Sequence, residues 1–221
     1  MRRNRGLMAA GLLLAALALA ACSNTTYRTY DDPERDQNPL LGREVTYWLN
    51  PIIYSARPEC AVVLTPKDKP SPDVIRLVGP ALARYLGERL PRVIDPLERK
   101  RLEKTHGIDP HDKSGRLRFA KATGCNAYLL WRVVSAEDSY FLVWSQRRLR
   151  VEAALYRVGD DRLFWQAAHT GRRSDGTLPL SPLSLPFAVF EATNFTADND
   201  VLPSMIDDVV RRLIITLPDL R

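Results

Sequence analysis

The segment CAVVLTP, from Cys60 to Pro66, decides the fold class of this chain. Its apolar run is continuous rather than alternating, and Pro66 ends it. A short unbroken apolar run that is bounded by proline is typical of a strand buried on both faces. Such strands lie in sheets that helices cover on either side. The segment therefore predicts an α/β domain with a parallel sheet at its centre.

Downstream of Pro66 the pattern alternates between helices and strands. Apolar residues at helical spacing, with capping residues at their ends, predict three helices at 71–90, 96–106 and 114–123. Short apolar runs between these helices predict strands at 92–95 and 127–134. Pro80 is expected to kink or restart the first helix, because proline has no N–H for the helical ladder.

Beyond residue 134 the apolar period changes to two. Leu149–Leu155 alternates, and a Gly-Asp-Asp break separates it from Leu163–Ala168, which predicts an antiparallel hairpin. The Gly, Ser and Pro content of residues 170–186 predicts a loop, and a helical stripe from Val201 predicts a closing helix. The predicted fold class is a three-layer-like α/β domain with a mixed sheet, in which a parallel βαβαβ core is followed by an antiparallel hairpin and a C-terminal covering helix.

The first 21 residues have the features of an export signal. Three arginines precede an apolar run that is shorter than the roughly 20 residues of a transmembrane helix and ends in small residues. Its last part, Leu19-Ala20-Ala21-Cys22, resembles the lipobox of bacterial lipoproteins. The resemblance implies cleavage before Cys22, diacylglycerol on its thiol and a fatty acid such as palmitate on its new amino group. The alternative is a plain secreted protein with a leftover cysteine.

The residue after Cys22 bears on the choice of membrane. Ser23 stands where an aspartate would imply retention in the inner membrane, so the resemblance implies a lipid anchor on the periplasmic face of the outer membrane. Residues 22–44 are polar and are predicted to form a lipidated flexible tether. Residues 45–221 are predicted to form a single periplasmic domain, with Val45–Leu49 as an edge strand or a peripheral arm.

The charge balance of the mature chain is nearly even. Three of the 32 basic residues lie in the signal, which leaves 29 basic and 26 acidic residues and a net charge of +3. This small excess gives no reason to expect a nucleic-acid partner. Cys60 and Cys125 are an even pair in an oxidising compartment, so they allow one disulfide. The alternative is two independent buried thiols.

The sequence contains no recognisable catalytic or cofactor motif, and we assign no enzymatic activity, cofactor or metal site. His106 and His111 flank a turn with Asp109 and Asp112, where a weak metal site is conceivable but a solvated loop is the favoured interpretation. One local set of carboxylates could be tested for glycan hydrolysis, which needs two facing acids. It consists of Asp95, Glu98, Asp109 and Asp112.

A basic run on a predicted strand is a candidate interaction face. Alternation sends Arg148 and Arg150 to one side, and Trp144 lies just before them. These residues could meet an anionic glycan, lipopolysaccharide or an acidic protein. The alternatives, which we favour, are a solvated sheet face or a protected edge strand.

The order of elements also resembles a group of periplasmic α/β domains. The matching pieces are AVVLTP, RVID with LEKTHGID, FAKATGCNAYLLWRVV, LYRVGDDRLFWQAA and MIDDVVRRLIITLP. The group includes the amino-terminal domain of TolB, the curli secretion channel lipoprotein, lipoprotein activators of penicillin-binding proteins and the Pel export lipoprotein. The resemblance implies that the first and third strands are parallel neighbours. Cys60 and Cys125 would then lie side by side at one end of the sheet.

These observations predict a non-enzymatic outer-membrane lipoprotein that binds or scaffolds an envelope protein in assembly, secretion or polysaccharide export. Its partners would be the membrane, through Cys22, and another envelope protein, and a homo-oligomer is a further option. One alternative is an auxiliary lipoprotein of a lipid-transport system that binds an apolar ligand. An envelope glycan hydrolase is the lowest-ranked alternative.

Overall fold

The computed structural model describes residues 25–32, 43–66, 70–141, 144–175 and 201–221. Within them, seven strands form one sheet: β1 Thr25–Thr29, β2 Arg43–Leu49, β3 Cys60–Val63, β4 Arg92–Ile94, β5 Ala127–Phe141, β6 Trp144–Arg157 and β7 Leu163–Asp175. The helices are α1 Ile52–Ser55, α2 Pro72–Leu86, α3 Pro96–His106, α4 Lys113–Thr123 and α5 Val201–Ile214. None of the helices in these ranges has the length and apolar content to cross a bilayer.

The sheet is mixed, in the order β1-β2-β7-β6-β5-β3-β4. The predicted parallel core is confirmed, because β3 pairs in parallel with β4 on one side and with β5 on the other. All four residues of β3 are buried, as its unbroken apolar run predicts. Helix α2 continues through Pro80 rather than ending there.

Helices cover the two faces of the sheet unequally. On one face, α2 and α5 pack on the main core, which includes Val78, Leu129 and Val209. On the other face, a smaller core around Phe119 and Tyr128 lies under α3 and α4 at the β4-β3-β5 end. The predicted fold class, with its C-terminal covering helix, is therefore confirmed.

The antiparallel part of the sheet is longer than the sequence predicts. The β6–β7 hairpin is confirmed, but β5 pairs with β6 as far as Phe141↔Trp144, past the predicted strand end at residue 134. The loop prediction is wrong for residues 170–175, which belong to β7 and pair with Arg150 through Ser145. Their polar side chains indicate a loop, whereas the backbone ladder to β6 makes them a strand. Residues 176–186 of that predicted loop lie outside the described ranges.

The N-terminal edge also differs from the prediction. Part of the predicted flexible tether, Thr25–Thr29, forms β1 and pairs in parallel with β2. Its threonines and tyrosine favour an extended backbone, and these five residues of the predicted tether belong to the sheet. Strand β2 is neither an edge strand nor a peripheral arm, since it lies between β1 and β7.

Candidate binding site

A groove of about 1170 Å³ lies between α2, α3 and the edge strand β4. Ile75 and Val93 line its apolar part, and Leu97 is 58% exposed beside them. Charged side chains form the rim. They are Arg76, Arg84, Glu88, Asp95, Lys100 and Arg101. We call this feature the α2–α3 groove.

Two local features fix the shape of the α2–α3 groove. The Asp95 carboxylate caps α3 by accepting hydrogen bonds from the backbone N–H groups of Leu97 (2.6 Å) and Glu98 (2.9 Å). Gly79 allows α2 to approach the start of α3, because a Cβ at this position would lie 3.0 Å from Pro96 Cγ. The cap orients the first turn of α3, and the glycine sets how close the two helices come.

The exposed charges on this rim that have no ion pair within the described residues are Lys100, Arg101 and Glu88, which leaves one excess positive charge. Arg76 pairs with Asp73, and Arg84 pairs with Asp207, which also accepts a hydrogen bond from the Tyr85 hydroxyl at 2.8 Å. Burial and this hydrogen bond raise the pKa of Tyr85. Lys100 and Arg101 are exposed and have no ion pair within the described part of the chain. The two of them leave the α3 side of the groove cationic.

A second polar cluster lies where the chain leaves the carboxyl end of β3. Arg99 is 2% exposed, and its Nη2 donates to Thr65 Oγ1 at 2.5 Å. Its Nη1 lies 3.3 Å from both His111 Nε2 and Glu103 Oε1. Burial lowers the pKa of Arg99, while the charges of Glu103 and Asp109 oppose that effect. The hydrogen bonds that the His111 side chain and backbone donate to Asp109 lower the pKa of its carboxyl.

The geometry of this cluster argues against the metal site that was considered from the sequence. The potential donor atoms of Glu103, Asp109 and His111 lie within 4.8 Å of one another. The Arg99 guanidinium, however, contacts both Glu103 and His111. A cation bound there would meet this buried positive charge, so the set does not fit a metal ion.

The carboxylates considered for glycan hydrolysis are engaged in caps, turns and ion pairs. Asp95 caps α3, and Asp112 caps α4 by accepting from Gly115 N and Ser114 Oγ. Glu98 pairs with Arg92 at 3.2 Å. With Asp109 bonded to His111, each acid of the predicted set has a structural partner.

Cys60 and Cys125 form a disulfide, with their Cα atoms 4.5 Å apart. They lie at the amino ends of β3 and β5, the neighbouring parallel strands. Asn126 supports this end: its Oδ1 accepts from the backbone N–H of Glu59 at 3.1 Å, and its Nδ2 donates to the carbonyl of Arg57 at 3.1 Å. The sequence predicts the cysteine pair but gives no signal for the role of Asn126.

The basic run lies inside the sheet. Arg150 donates to Glu152 at 3.1 Å, and Arg132 donates to the same carboxylate at 2.8 Å. Arg148 is exposed, and the side chain of Trp144 is not among those described. The edge-strand alternative is wrong, because β6 lies between β7 and β5. A solvated face and an interaction face both stay open.

Cys22, the predicted lipid-attachment residue, lies outside the described residues, three positions before Thr25. The sequence did not single out Leu97, Arg99 or Glu103. All three lie in the helix PLERKRLEKTH. Most of its residues are charged, so nothing in the sequence distinguishes its exposed leucine or its buried arginine from their neighbours.

The sequence matches no protein-family model and no curated protein. Three solved structures similar to this chain are lipoprotein GNA1162 from Neisseria meningitidis, a PelC dodecamer from Paraburkholderia phytofirmans and the LpoB C-terminal domain from Salmonella enterica. Their identities are 16%, 16% and 12%, and their TM-scores are 0.45, 0.46 and 0.30. The alignments cover 63%, 81% and 54% of this chain and 99%, 99% and 83% of those chains.

Bacterial lipoproteins are thus among the structures similar to this chain. At these identities and TM-scores, none of them assigns a partner, an activity or a residue role to it.

Proposed function

We propose that this chain is a lipid-anchored, non-enzymatic protein of the bacterial outer membrane that binds another envelope protein through the α2–α3 groove. The observation that carries the proposal is the groove itself, whose apolar lining is bordered by two exposed cations without ion pairs, Lys100 and Arg101. Its occupant would be a segment of the partner that presents apolar side chains flanked by acidic ones.

The leader supports the anchored location. A basic region, an apolar region and Leu-Ala-Ala-Cys precede the domain in the order found in lipoprotein signals. An acylated Cys22 followed by Ser23 would hold the domain on the periplasmic face of the outer membrane. Binding is favoured over glycan hydrolysis because the candidate acids are engaged in caps and ion pairs. A peptide segment suits the groove better than a carried lipid, because the groove is open to solvent.

The groove is tested with a photo-crosslinking amino acid in cells that make the full chain. Leu97, 58% exposed on α3, is replaced in one strain, and Leu117, 44% exposed on α4, is replaced in a control strain. We expect the Leu97 position to capture one envelope protein that the Leu117 position does not. Equal products at both positions, or none at Leu97, would refute the groove as the binding site.

The crosslinking experiment also tests the positive charge on the rim of the groove. Lys100→Glu with Arg101→Glu should reduce the Leu97 crosslink severalfold, because the acidic flanks of the partner would then meet like charge. Arg118→Glu, an exposed change on α4, is the matched control. An unchanged crosslink in the double variant would show that the rim does not recognise an acidic partner.

The anchor is tested separately by metabolic labelling with a fatty acid and by membrane fractionation. The natural chain should carry label and fractionate with outer membranes, and Cys22→Ser should lose both properties. A Cys22→Ser protein that still fractionated with outer membranes would exclude the lipid as its anchor.

A further inference from the structure

The predicted attachment residue comes shortly before the sheet in the sequence. Cys22 is three residues before Thr25, and Thr25 already belongs to β1, paired with Arg43 of β2. Three residues of extended chain span at most about 11 Å. A lipid on Cys22 would therefore hold this edge of the sheet at the bilayer surface instead of letting the domain stand away from it.

Three arginines lie at this edge, and we call Arg173, Arg211 and Arg212 the arginine cluster. Arg212 donates to Thr25 Oγ1 and, at 2.8 Å, to Asp208. Arg211 donates to the same carboxylate at 2.8 Å. Arg173, at the end of β7, donates to the Ser204 hydroxyl on α5.

The cluster has an excess of positive charge. Asp208 is shared by Arg211 and Arg212, and Arg173 has a neutral partner, so three cations face one carboxylate among the residues that the structure describes. The arginine side chains hold the pKa of Asp208 below its usual range, against the effect of burial. A cavity of about 350 Å³ lies against Arg173, Asp208 and Arg212.

Within the described ranges, the other face of β1 carries no such excess. There Arg28 pairs with Asp32 at 3.0 Å and lies 4.0 Å from Glu44. Tyr27, which is 42% exposed, alternates onto the same side of β1 as Thr25, which Arg212 contacts. The positive charge and the exposed aromatic ring are thus on the α5 side of the edge.

We infer that the arginine cluster binds the phosphate groups of anionic phospholipids and lays the α5 side of β1 on the bilayer. Guanidinium groups form paired hydrogen bonds to phosphate oxygens, and tyrosine favours the membrane interface. Basic residues beside a lipid anchor add to its binding at an anionic surface. This inference rests on the lipid anchor of the proposed function, and it adds an orientation and a lipid class.

The test uses the lipidated mature protein in vesicles of phosphatidylcholine, with or without phosphatidylglycerol. Flotation with the vesicles reports the anchor, and amide hydrogen exchange in β1 and α5 reports headgroup binding. We expect flotation in both cases and severalfold slower exchange of these two elements only where phosphatidylglycerol is present. High salt should remove the slowing, and free inorganic phosphate should not reproduce it.

Arg173→Gln with Arg211→Gln should float normally and lose the phosphatidylglycerol effect. Both side chains are exposed, so the change preserves the core. Arg118→Gln with Lys121→Gln, both exposed on α4, is the control that should keep the effect. Equal exchange in the two kinds of vesicle, or an unchanged response in the first variant, would overturn the inference alone. Failure to float in either kind of vesicle would overturn the proposed anchor and, with it, the inference.

Discussion

At Asp161 the backbone takes a left-handed conformation, with φ at 54°, in the turn between β6 and β7. The carboxylate accepts a hydrogen bond from the Tyr128 hydroxyl at 2.9 Å and another from Arg116 at 3.2 Å, and Lys113 lies 3.5 Å away. Partial burial opposes ionisation, but these partners outweigh it and lower the pKa of Asp161. A single side chain therefore links the turn to β5 and α4.

Asp161→Asn should make stability less sensitive to acid. Because the pKa of Asp161 is lower in the folded state, its ionised carboxylate stabilises the fold at pH values above the unfolded-state pKa of about 3.8. This contribution disappears as the pH falls through the folded-state pKa. Asparagine tolerates the left-handed backbone. We expect the variant to have a lower unfolding free energy than the natural chain at pH 7, and the difference to shrink as the pH falls below the unfolded-state pKa.

Urea denaturation at several pH values measures this gap. Asp73→Asn is the control, because Asp73 is exposed and, among the described residues, pairs only with Arg76 of the same helix. A gap for Asp161→Asn that stayed constant from neutral to acid pH would contradict the assignment.

Gly171 is a position where α5 requires a residue without a side chain. A Cβ there would clash with Val209 Cγ2 of α5, whereas a Cβ at Gly159 would meet no atom within 4 Å. Gly171→Ala should lower the unfolding free energy by about 1–3 kcal/mol, because the core must shift to accept it. Gly159→Ala should have little effect. Thermal and urea unfolding compare the two, and equal losses would count against close packing of α5 on β7.

At the scale of elements, the disulfide joins the first and third strands of the parallel core. It closes a chain separation of 65 residues. Removing it with Cys60→Ala and Cys125→Ala should lower the unfolding free energy by up to about 4 kcal/mol, because the unfolded chain regains freedom. Urea unfolding of the oxidised chain, the reduced chain and the double variant gives the measurement. Identical midpoints for all three would show that the bond contributes nothing.

Elements with strong local signals are the ones that the sequence predicts well. Helix α3 has the predicted bounds because Asp95 caps it and Gly107, with φ at 65°, ends it. Strand β3 is recognisable because both of its faces are buried. The end of β7 was missed because Thr170–Asp175 is polar and becomes a strand only through its pairing with β6.

The candidate site was less predictable than the fold. Arg99 and Leu97 lie in one charged helix, and their burial and exposure depend on α2, β3 and the turn at His111, which come from distant parts of the chain. The arginine cluster joins residues from β7 and α5 at an edge formed by β1. No local sequence pattern predicts that residues so far apart in the chain come together.

At the scale of the whole molecule, the sheet has two edges of different character. Strand β4 borders the α2–α3 groove, and the arginine cluster of β7 and α5 lies beside β1. Strands β5, β6 and β7 are each paired on both sides. The proposed partner site and the proposed membrane site thus lie at opposite ends of the strand order.

Hydrogen exchange of the Cys22→Ser chain in solution should follow this order. Amides of β6 should exchange most slowly, because they are hydrogen-bonded to strands on both sides. Amides of β1 and β4 that face the unpaired edges of the sheet should exchange faster. Amide exchange with peptide-level mass spectrometry resolves these strands. Protection in β1 equal to that in β6 would mean that another segment covers this edge in solution.

The disulfide also has a mechanical consequence. Ile75, Val93 and Leu97 of the groove all lie between Cys60 and Cys125 in the chain. A pull on a partner held at Leu97, resisted by lipid at Cys22, would therefore act on a closed loop with two covalent arms, of 37 residues to Cys60 (97 − 60) and 28 residues to Cys125 (125 − 97). With the bond intact both arms carry the load, and the shorter one limits the extension to roughly 100 Å at about 3.6 Å per residue. Reduction would leave the whole load on the longer arm, which can extend to roughly 130 Å.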